Sequence, residues 1–171
     1  MRTIFIIIFF ALTSSAYAVT PEQATQQFER MKRMAGTWQG KSTKGWENRV
    51  TIRVIARGSA ILSTSEFIGE NGEGMATLYY LDGGQLKLTH YCEARNQPTL
   101  VLSELSEDGK RAEFTFHSGT GMASRDVGHM DRLIVRFEGD DVHHDRWSWY
   151  SKGKESWMED IEYRRVAANE R

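Results

Sequence analysis

Hydrophobic residues follow three different patterns along this chain. Every position from 4 to 12 is apolar, and between residues 24 and 35 apolar residues recur every three or four positions. From residue 37 onward, short segments alternate apolar and polar residues. A spacing of three to four indicates an amphipathic helix, and strict alternation indicates a half-buried strand. We therefore predict an apolar leader, one helix and a β domain, in that order.

The helix is predicted over residues 21–35. Thr20 is a good N-cap, and Pro21 stands at the first helical position, where its missing N–H costs nothing. Phe28 lies on the predicted apolar face. Gly36 is expected to end the helix.

Ten alternating segments follow the helix, separated by turns that are rich in glycine. Short strands at such regular spacing are typical of an all-β sandwich or barrel. We take residues 19–171 as a single domain of this class. The predicted strands are 37–41, 50–56, 60–68, 75–81, 86–92, 99–104, 112–117, 133–137, 142–150 and 156–165.

The apolar leader has the composition of a secretory signal peptide. Arg2 precedes the apolar run, and Ala16 and Ala18 supply the small residues of a cleavage site. The run is nine residues long, whereas a membrane span needs about 20. We therefore expect residues 1–18 to be removed, leaving an exported periplasmic or secreted protein that begins at Val19 and has no integral membrane segment.

Composition narrows the range of partners. The formal net charge is −1, and acidic and basic residues are interspersed, so neither nucleic acid nor an anionic membrane is an expected partner. The single cysteine, Cys92, has no second cysteine with which to form an internal disulfide. A small hydrophobic molecule is the expected partner.

The tripeptide Gly36-Thr37-Trp38, directly after the helix, resembles the opening of the calycin superfamily, which includes lipocalins and fatty-acid-binding proteins. The resemblance implies that Trp38 plugs one end of a closed barrel. It also implies that a basic residue of the last strand, Arg164 or its neighbour Arg165, packs over the indole. Such a contact is worth about 0.5–2 kcal/mol. We assign this role to Arg164.

A wider resemblance covers most of the domain. Segments 34–40, 88–92, 96–98 and 128–130 are similar to an uncharacterised family of exported bacterial lipocalin-like domains. This implies an all-β, closed antiparallel barrel of about ten strands. The strand count also resembles nitrobindin-type haem-binding barrels. However, the last glycine of their G-x-W-x-G-x-G opening is Ser42 here, and the final strand contains no histidine.

Alternation predicts which ionisable side chains face the barrel interior. On three strands these residues share a face with aromatic or aliphatic residues, and Trp157 is expected on the same inner face as Glu159. Residues 118–131 form a long connection with three glycines, two methionines and a histidine, which is typical either of a lid or binding loop or of a simple flexible connection. The predicted lumen site comprises His90, Cys92, Asn96, Gln97, His129, Asp145, Trp147, Trp149 and Glu159.

Two interpretations of these residues stay open. Either the barrel keeps a cavity in which they orient a mostly apolar ligand, or they are paired inside a filled core, with His90 bonded to Asp145 or Glu159. The first makes the protein a small-molecule carrier or, with His90 or His129 as iron ligand, a haem-binding barrel. The second makes it a structural or interaction protein of the cell envelope.

Catalysis and metal binding are not expected. His143 and His144 are adjacent, so on a strand they point to opposite faces. No nucleophile elbow or phosphate-binding loop is present in the sequence. We therefore predict no catalytic residue and no metal ligand.

Overall fold

A computed structural model of the chain describes residues 18–69 and 74–167. Nearly all of the predicted signal peptide lies outside the described residues. The rest forms one helix and a closed barrel of ten antiparallel strands, which confirms the predicted fold class. The elements are α1 (Pro21–Lys32), β1 (Gly36–Ser42), β2 (Glu47–Ile55), a 3-10 turn (Ala56–Gly58), β3 (Ala60–Phe67), β4 (Met75–Asp82), β5 (Gln85–Tyr91), β6 (Gln97–Leu105), β7 (Arg111–Thr120), β8 (His129–Phe137), β9 (Val142–Ser151) and β10 (Lys154–Arg165).

The strands follow one another around the barrel in chain order. Each pairs with its successor, and β1 pairs with β10 to close the sheet. In the closing ladder Trp38 lies opposite Arg165, and Ser42 lies opposite Ile161. Closure gives each described strand a neighbour on both sides, although β5 and β6 pair over three residues only, which reduces the usual site of edge-to-edge aggregation.

Helix α1 begins as its sequence predicts and ends earlier. The Thr20 hydroxyl accepts from the Gln23 amide at 3.2 Å, and the Gln23 side chain accepts from the Thr20 amide at 2.9 Å, forming a capping box. Its last residue is Lys32, three short of the predicted end, because residues 33–35 turn the chain into β1. Among the described residues, no helix has the length and apolarity needed to cross a membrane.

Gly36 is required at the junction between α1 and β1. Its φ is +140°, and a Cβ there would lie 2.6 Å from Nη1 of Arg165. Any other residue would be strained and would also displace the Arg165 side chain. The glycine thus allows the helix end and the last strand to approach each other.

The helix covers one end of the barrel. Its buried face, formed by Ala24, Phe28 and Met31, packs against β4 and β5. On the side of β5 to β8, large inward side chains fill the interior. These are Leu86, Leu88, Leu100, Phe114 and Leu133, each completely buried.

A β-bulge in β10 corrects one predicted face. The pairing with β9 shifts between Trp157, opposite Ser148, and Glu159, opposite Trp147, so Met158 is the extra residue. A bulge reverses the alternation on one side of it. Trp157 therefore lies on the outer surface, 40% exposed, and does not share the inner face of Glu159 as expected.

Candidate functional site

The barrel contains a cavity of about 350 Å³ on the side opposite the filled core. Its walls come from β2, β3 and β4 and from β9 and β10, and Met31 and Met34 of the helical region form its floor. Trp46, Phe67 and residues 92–94 surround its open end. Most of the lining is aliphatic or aromatic, which is typical of small-molecule sites.

The closed end is held by Trp38 and Arg165. Trp38 is 1% exposed, and its Nε1 donates to the Met34 carbonyl at 2.8 Å. The Arg165 guanidinium lies 4.3 Å from the indole centre. It also donates to the carbonyls of Ala35 at 2.8 Å and Arg33 at 3.0 Å. One side chain thus covers the plug and binds the chain directly after α1.

The assignment of Arg164 to this role is wrong. Arg164 pairs opposite Gln39 in the closing ladder, whereas Arg165 lies opposite Trp38. The Arg164 side chain is 66% exposed and forms an ion pair with Glu162 at 2.6 Å. Because neighbouring residues of a strand point to opposite faces, only one of the two arginines can reach the indole.

His90 lies on the wall of the cavity, with 4% of its surface exposed. Its Nδ1 is 2.9 Å from the Thr77 hydroxyl, and its ring centre is 5.0 Å from that of Trp147. Its Nε2 has no hydrogen-bond partner. Burial lowers the pKa of His90 to about 4, so the imidazole is neutral. The pairing with an acid expected for a filled core is not formed.

Asp145 faces the same cavity from β9. Its Oδ1 has no hydrogen-bond partner, and His143 Nε2, at 3.9 Å, is too distant to donate to it. Burial raises the pKa of Asp145 to about 7, although the charge of Arg136 opposes this. Arg136 itself pairs with Asp160 at 3.3 Å. The Asp145 side chain is thus mostly enclosed, with 15% of it exposed, and has no adjacent cation.

An aromatic cluster separates Asp145 from the plug. The His143 ring packs edge-on to Trp38 at 4.5 Å and stacks on Tyr163 at 4.8 Å. Burial, together with the charges of His144 and Arg165, lowers the pKa of His143 to about 3. For Tyr163 the direction is opposite: burial and the nearby Asp145 raise its pKa. Both rings are therefore neutral.

Asn48 joins this cluster from β2 and was not foreseen. It is 3% exposed, and its Nδ2 donates to the Tyr163 hydroxyl at 3.3 Å. A Cβ at Gly40 would lie 2.1 Å from Asn48 Oδ1 and 2.5 Å from the Tyr163 ring, so only glycine fits between them. The alternation of Asn48 with Val50 and Ile52 in β2 was a signal for its inward direction.

The other predicted lumen residues that line the cavity lie towards its mouth. Trp147 and Trp149 line it from β9, and Cys92 lines it from the turn after β5. Burial raises the pKa of the Cys92 thiol, which makes it a poor nucleophile. The Glu159 side chain is 6% exposed and pairs with Lys44 Nζ at 3.2 Å.

Three predicted lumen residues do not line the cavity. Asn96 Nδ2 donates to the Gly128 carbonyl at 2.8 Å, and the Gln97 side chain accepts from the Thr120 hydroxyl at 2.9 Å. Both contacts hold the ends of the loop between β7 and β8. Hydrogen bonding in a loop is not visible in strand alternation, which explains the error.

His129 is the third predicted lumen residue that does not line the cavity. It is completely buried, and its Nε2 contacts Arg125 and lies 3.3 Å from Asp131 Oδ1. Arg125 stacks between Phe116 at 4.1 Å and Tyr150 at 3.9 Å and pairs with Asp131 at 2.5 Å. These five residues, the Arg125 cluster, fix the same loop. His129 is therefore not positioned to ligate iron in the lumen.

The described part of the chain contains no group of three His, Cys, Asp or Glu side chains that could hold a metal ion.

No protein-family model and no curated protein matches the sequence. Among solved structures, a protein of unknown function from the DUF3598 family of Nostoc punctiforme is 10% identical, with a TM-score of 0.49. The alignment covers 78% of this chain and 48% of that protein, so this chain spans about half its length. Pallilysin from Treponema pallidum is 16% identical, with coverages of 85% and 90% and a TM-score of 0.35.

Proposed function

We propose that this is an exported protein that binds a small, mostly hydrophobic molecule in the lumen of its barrel. The observation that carries the proposal is the cavity of about 350 Å³, whose lining includes four buried polar atoms without a hydrogen-bond partner. These atoms are Asn48 Oδ1, His90 Nε2, His143 Nδ1 and Asp145 Oδ1. Each belongs to a polar side chain in an otherwise mostly apolar wall, which is the usual form of a small-molecule site.

The calycin relationship is part of this proposal. The plug that the Gly36-Thr37-Trp38 motif implies is supported by the contact of Arg165 with Trp38 at 4.3 Å. In a barrel of this kind the plug closes one end and ligands enter at the other. The cavity here likewise has a floor at α1 and a mouth at the opposite loops.

Export is proposed from the leader residues alone. Its test is the intact mass of the protein recovered from the periplasm or medium. A mass corresponding to a chain that begins at Val19 supports export by signal cleavage, and an uncleaved chain contradicts it.

The lining argues against haem as the occupant. His90 Nε2 has no hydrogen-bond partner, but none of the described residues that line the cavity is a lysine or arginine, and Lys44 at the mouth is already paired with Glu159, which leaves haem propionates without a neutralising cation among these residues. Native mass spectrometry and an absorption spectrum of protein purified from its own compartment distinguish the possibilities. We expect a bound organic molecule and no Soret band, whereas a Soret band would indicate haem.

Two matched variants test whether the lumen is the binding site. Ser63 lines the cavity from β3, and the next residue, Thr64, lies on the outer face by alternation. We expect Ser63→Phe to abolish binding of the neutral fluorescent probe N-phenyl-1-naphthylamine, because the ring occupies the cavity. Thr64→Phe, as the control, should retain it. Equal binding by both variants, or no probe bound by the wild type and no ligand recovered, would favour a ligand-free structural protein.

A further inference from the structure

The cavity has an unequal balance of charges. Three acidic residues, Glu93, Asp145 and Glu159, line it, and no lysine or arginine does so among the described residues. Lys44 neutralises Glu159 at the mouth, with 3.2 Å between Nζ and Oε2. Glu93 is exposed at the rim. Asp145 is therefore the acid inside the cavity that lacks an adjacent positive charge.

Three arginines of the barrel and its loops are already engaged elsewhere. Arg165 covers Trp38 at the closed end, Arg125 pairs with Asp131, and Arg136 pairs with Asp160. A buried carboxylate is unfavourable unless a cation or hydrogen-bond donors accompany it. Since these side chains are engaged, a cation that pairs with ionised Asp145 would be supplied by the occupant of the cavity.

The cavity wall also suits a cation. Trp147 and Trp149 follow Asp145 on the inner face of β9, and Trp46 faces the cavity from the loop between β1 and β2. The faces of indole rings are negative and attract ammonium groups, most strongly where water is excluded. Aromatic rings bind organic ammonium ions, and Trp147, two residues from Asp145 on the same strand face, is the indole nearest to it along β9.

We propose that the ligand is a cationic amphiphile, in which an organic ammonium group lies beside Asp145 and Trp147 and an apolar body contacts the aliphatic wall. Val50, Ile52 and Ile61 supply that wall. The inference rests on the proposed function and names the chemistry of its ligand. A carboxylate ligand such as a fatty acid would meet Asp145 with a like charge and no compensating cation.

Three probes with the same ten-carbon chain separate the head-group chemistries. Decyltrimethylammonium, 1-decanol and decanoate are titrated into the folded mature protein by calorimetry, below their micelle concentrations. We expect the ammonium to bind about tenfold or more tightly than the alcohol, because an adjacent opposite charge typically shifts such equilibria by at least this factor. Decanoate should bind weakest.

The outcomes distinguish this inference from the function on which it depends. If decanoate or decanol binds as tightly as the ammonium, or if the ammonium fails to bind while N-phenyl-1-naphthylamine does, the inference is overturned and the lumen remains a binding site. If neither the naphthylamine probe nor any of the three compounds binds, the proposed function falls with it.

Matched variants test whether the negative charge that attracts the ammonium group is that of Asp145. Asp145→Asn keeps the shape of the side chain and should weaken decyltrimethylammonium binding about tenfold or more while changing decanol binding little. Glu162→Gln removes one charge from the outer face of β10, where Glu162 pairs with Arg164, and should change neither affinity. Equal losses in the two variants would indicate a general effect of net charge and would contradict a site at Asp145.

Proton release gives a second readout that does not depend on a variant. Decyltrimethylammonium has no proton to lose, so a proton released on binding near pH 7 comes from the protein. We expect release because the ligand charge favours ionised Asp145, whose pKa is about 7 without ligand. Titrations in buffers of different ionisation enthalpy measure it, and Asp145→Asn should abolish it.

The other groups that face or influence Asp145 are Tyr79 on β4, His90 on β5, Arg136 on β8, His143 on β9, and Glu159 and Tyr163 on β10.

Discussion

The closed end and the cavity of this barrel use similar chemical groups in opposite ways. At the closed end, the Trp38 ring has its cation, Arg165, at 4.3 Å, and both side chains are hydrogen-bonded to backbone carbonyls. In the cavity, Trp147 and Trp149 lie on the same strand face as Asp145, whose Oδ1 has no partner. At the closed end each of these side chains has its partner, whereas the residues of the cavity lack a positively charged partner.

The comparison shows how a small barrel separates its packed core from its cavity. The side chains of β6 and β7 fill one half of the interior with completely buried leucine and phenylalanine. The other half keeps its volume and contains the titratable groups. Substitutions at the plug should therefore reduce stability, whereas a substitution at the cavity acid should increase the stability of the free protein.

The largest effect is expected from loss of the plug. Trp38→Ala should lower the free energy of unfolding by about 3–5 kcal/mol, because a large buried ring is removed and a void is left. Denaturant unfolding measures the loss. Trp157→Ala, at a tryptophan 40% exposed on the outer face, is the control and should cost about 1 kcal/mol or less. Similar losses for both variants would contradict a structural difference between the two tryptophans.

Asp145→Asn should raise the free energy of unfolding, whereas Trp38→Ala lowers it. In the folded protein the pKa of Asp145 is about 7, against an ordinary value of 3.8. The folded state therefore binds a proton that the unfolded state has lost, and stability due to this group falls as pH rises from about 4 to about 7. The variant should be more stable than wild type at about pH 8, on the order of 1–3 kcal/mol.

The pH dependence of that difference provides the check. The stabilisation should shrink as pH falls and vanish below about pH 3, where Asp145 is protonated in both the folded and the unfolded state. His90 and His143, with pKa values lowered to about 4 and about 3, destabilise the fold below about pH 6.5 in both proteins alike. Their contribution therefore cancels in the difference. A stability gap that is independent of pH would show that Asp145 is not buried as described.

Substitution of the two adjacent arginines, Arg164 and Arg165, should change stability by different but smaller amounts. Arg165→Ala removes the cation from Trp38 and the donors to Arg33 and Ala35, so we expect a loss of about 2 kcal/mol. Arg164→Ala removes an exposed ion pair and should change stability by about 0.5 kcal/mol or less. Thermal unfolding of the two variants side by side measures this. The reverse order would restore Arg164 as the partner of the plug.

The smallest effect concerns the loop beside the mouth. Arg125→Ala breaks the Arg125 cluster and should cost about 1 kcal/mol. Amide hydrogen exchange should accelerate in residues 121–128 and leave the cavity strands unchanged. Faster exchange throughout β9 instead would mean that the cluster supports the barrel wall and not only the loop.

Local patterns in the sequence were sufficient for the elements and for much of the interior. The alternation of Leu86, Leu88 and His90 placed all three on the inner face, and Thr20 with Pro21 located the start of α1. These features depend on residues within one or two turns or strand steps. For the same reason the sequence identified Asp145 and Trp147 as neighbours on one strand face without showing what lay opposite.

Contacts between distant segments were decided only in the tertiary structure. The closing register placed Arg165, and not Arg164, over Trp38, and the bulge at Met158 turned Trp157 outward. Both depend on how strands pair, and a one-residue change in pairing reverses the direction of every side chain beyond it. His129 was placed by a loop cluster and not by strand alternation. The sequence by itself determined which residues can share a face, while pairing between strands decided which faces meet and which polar atoms were left without partners.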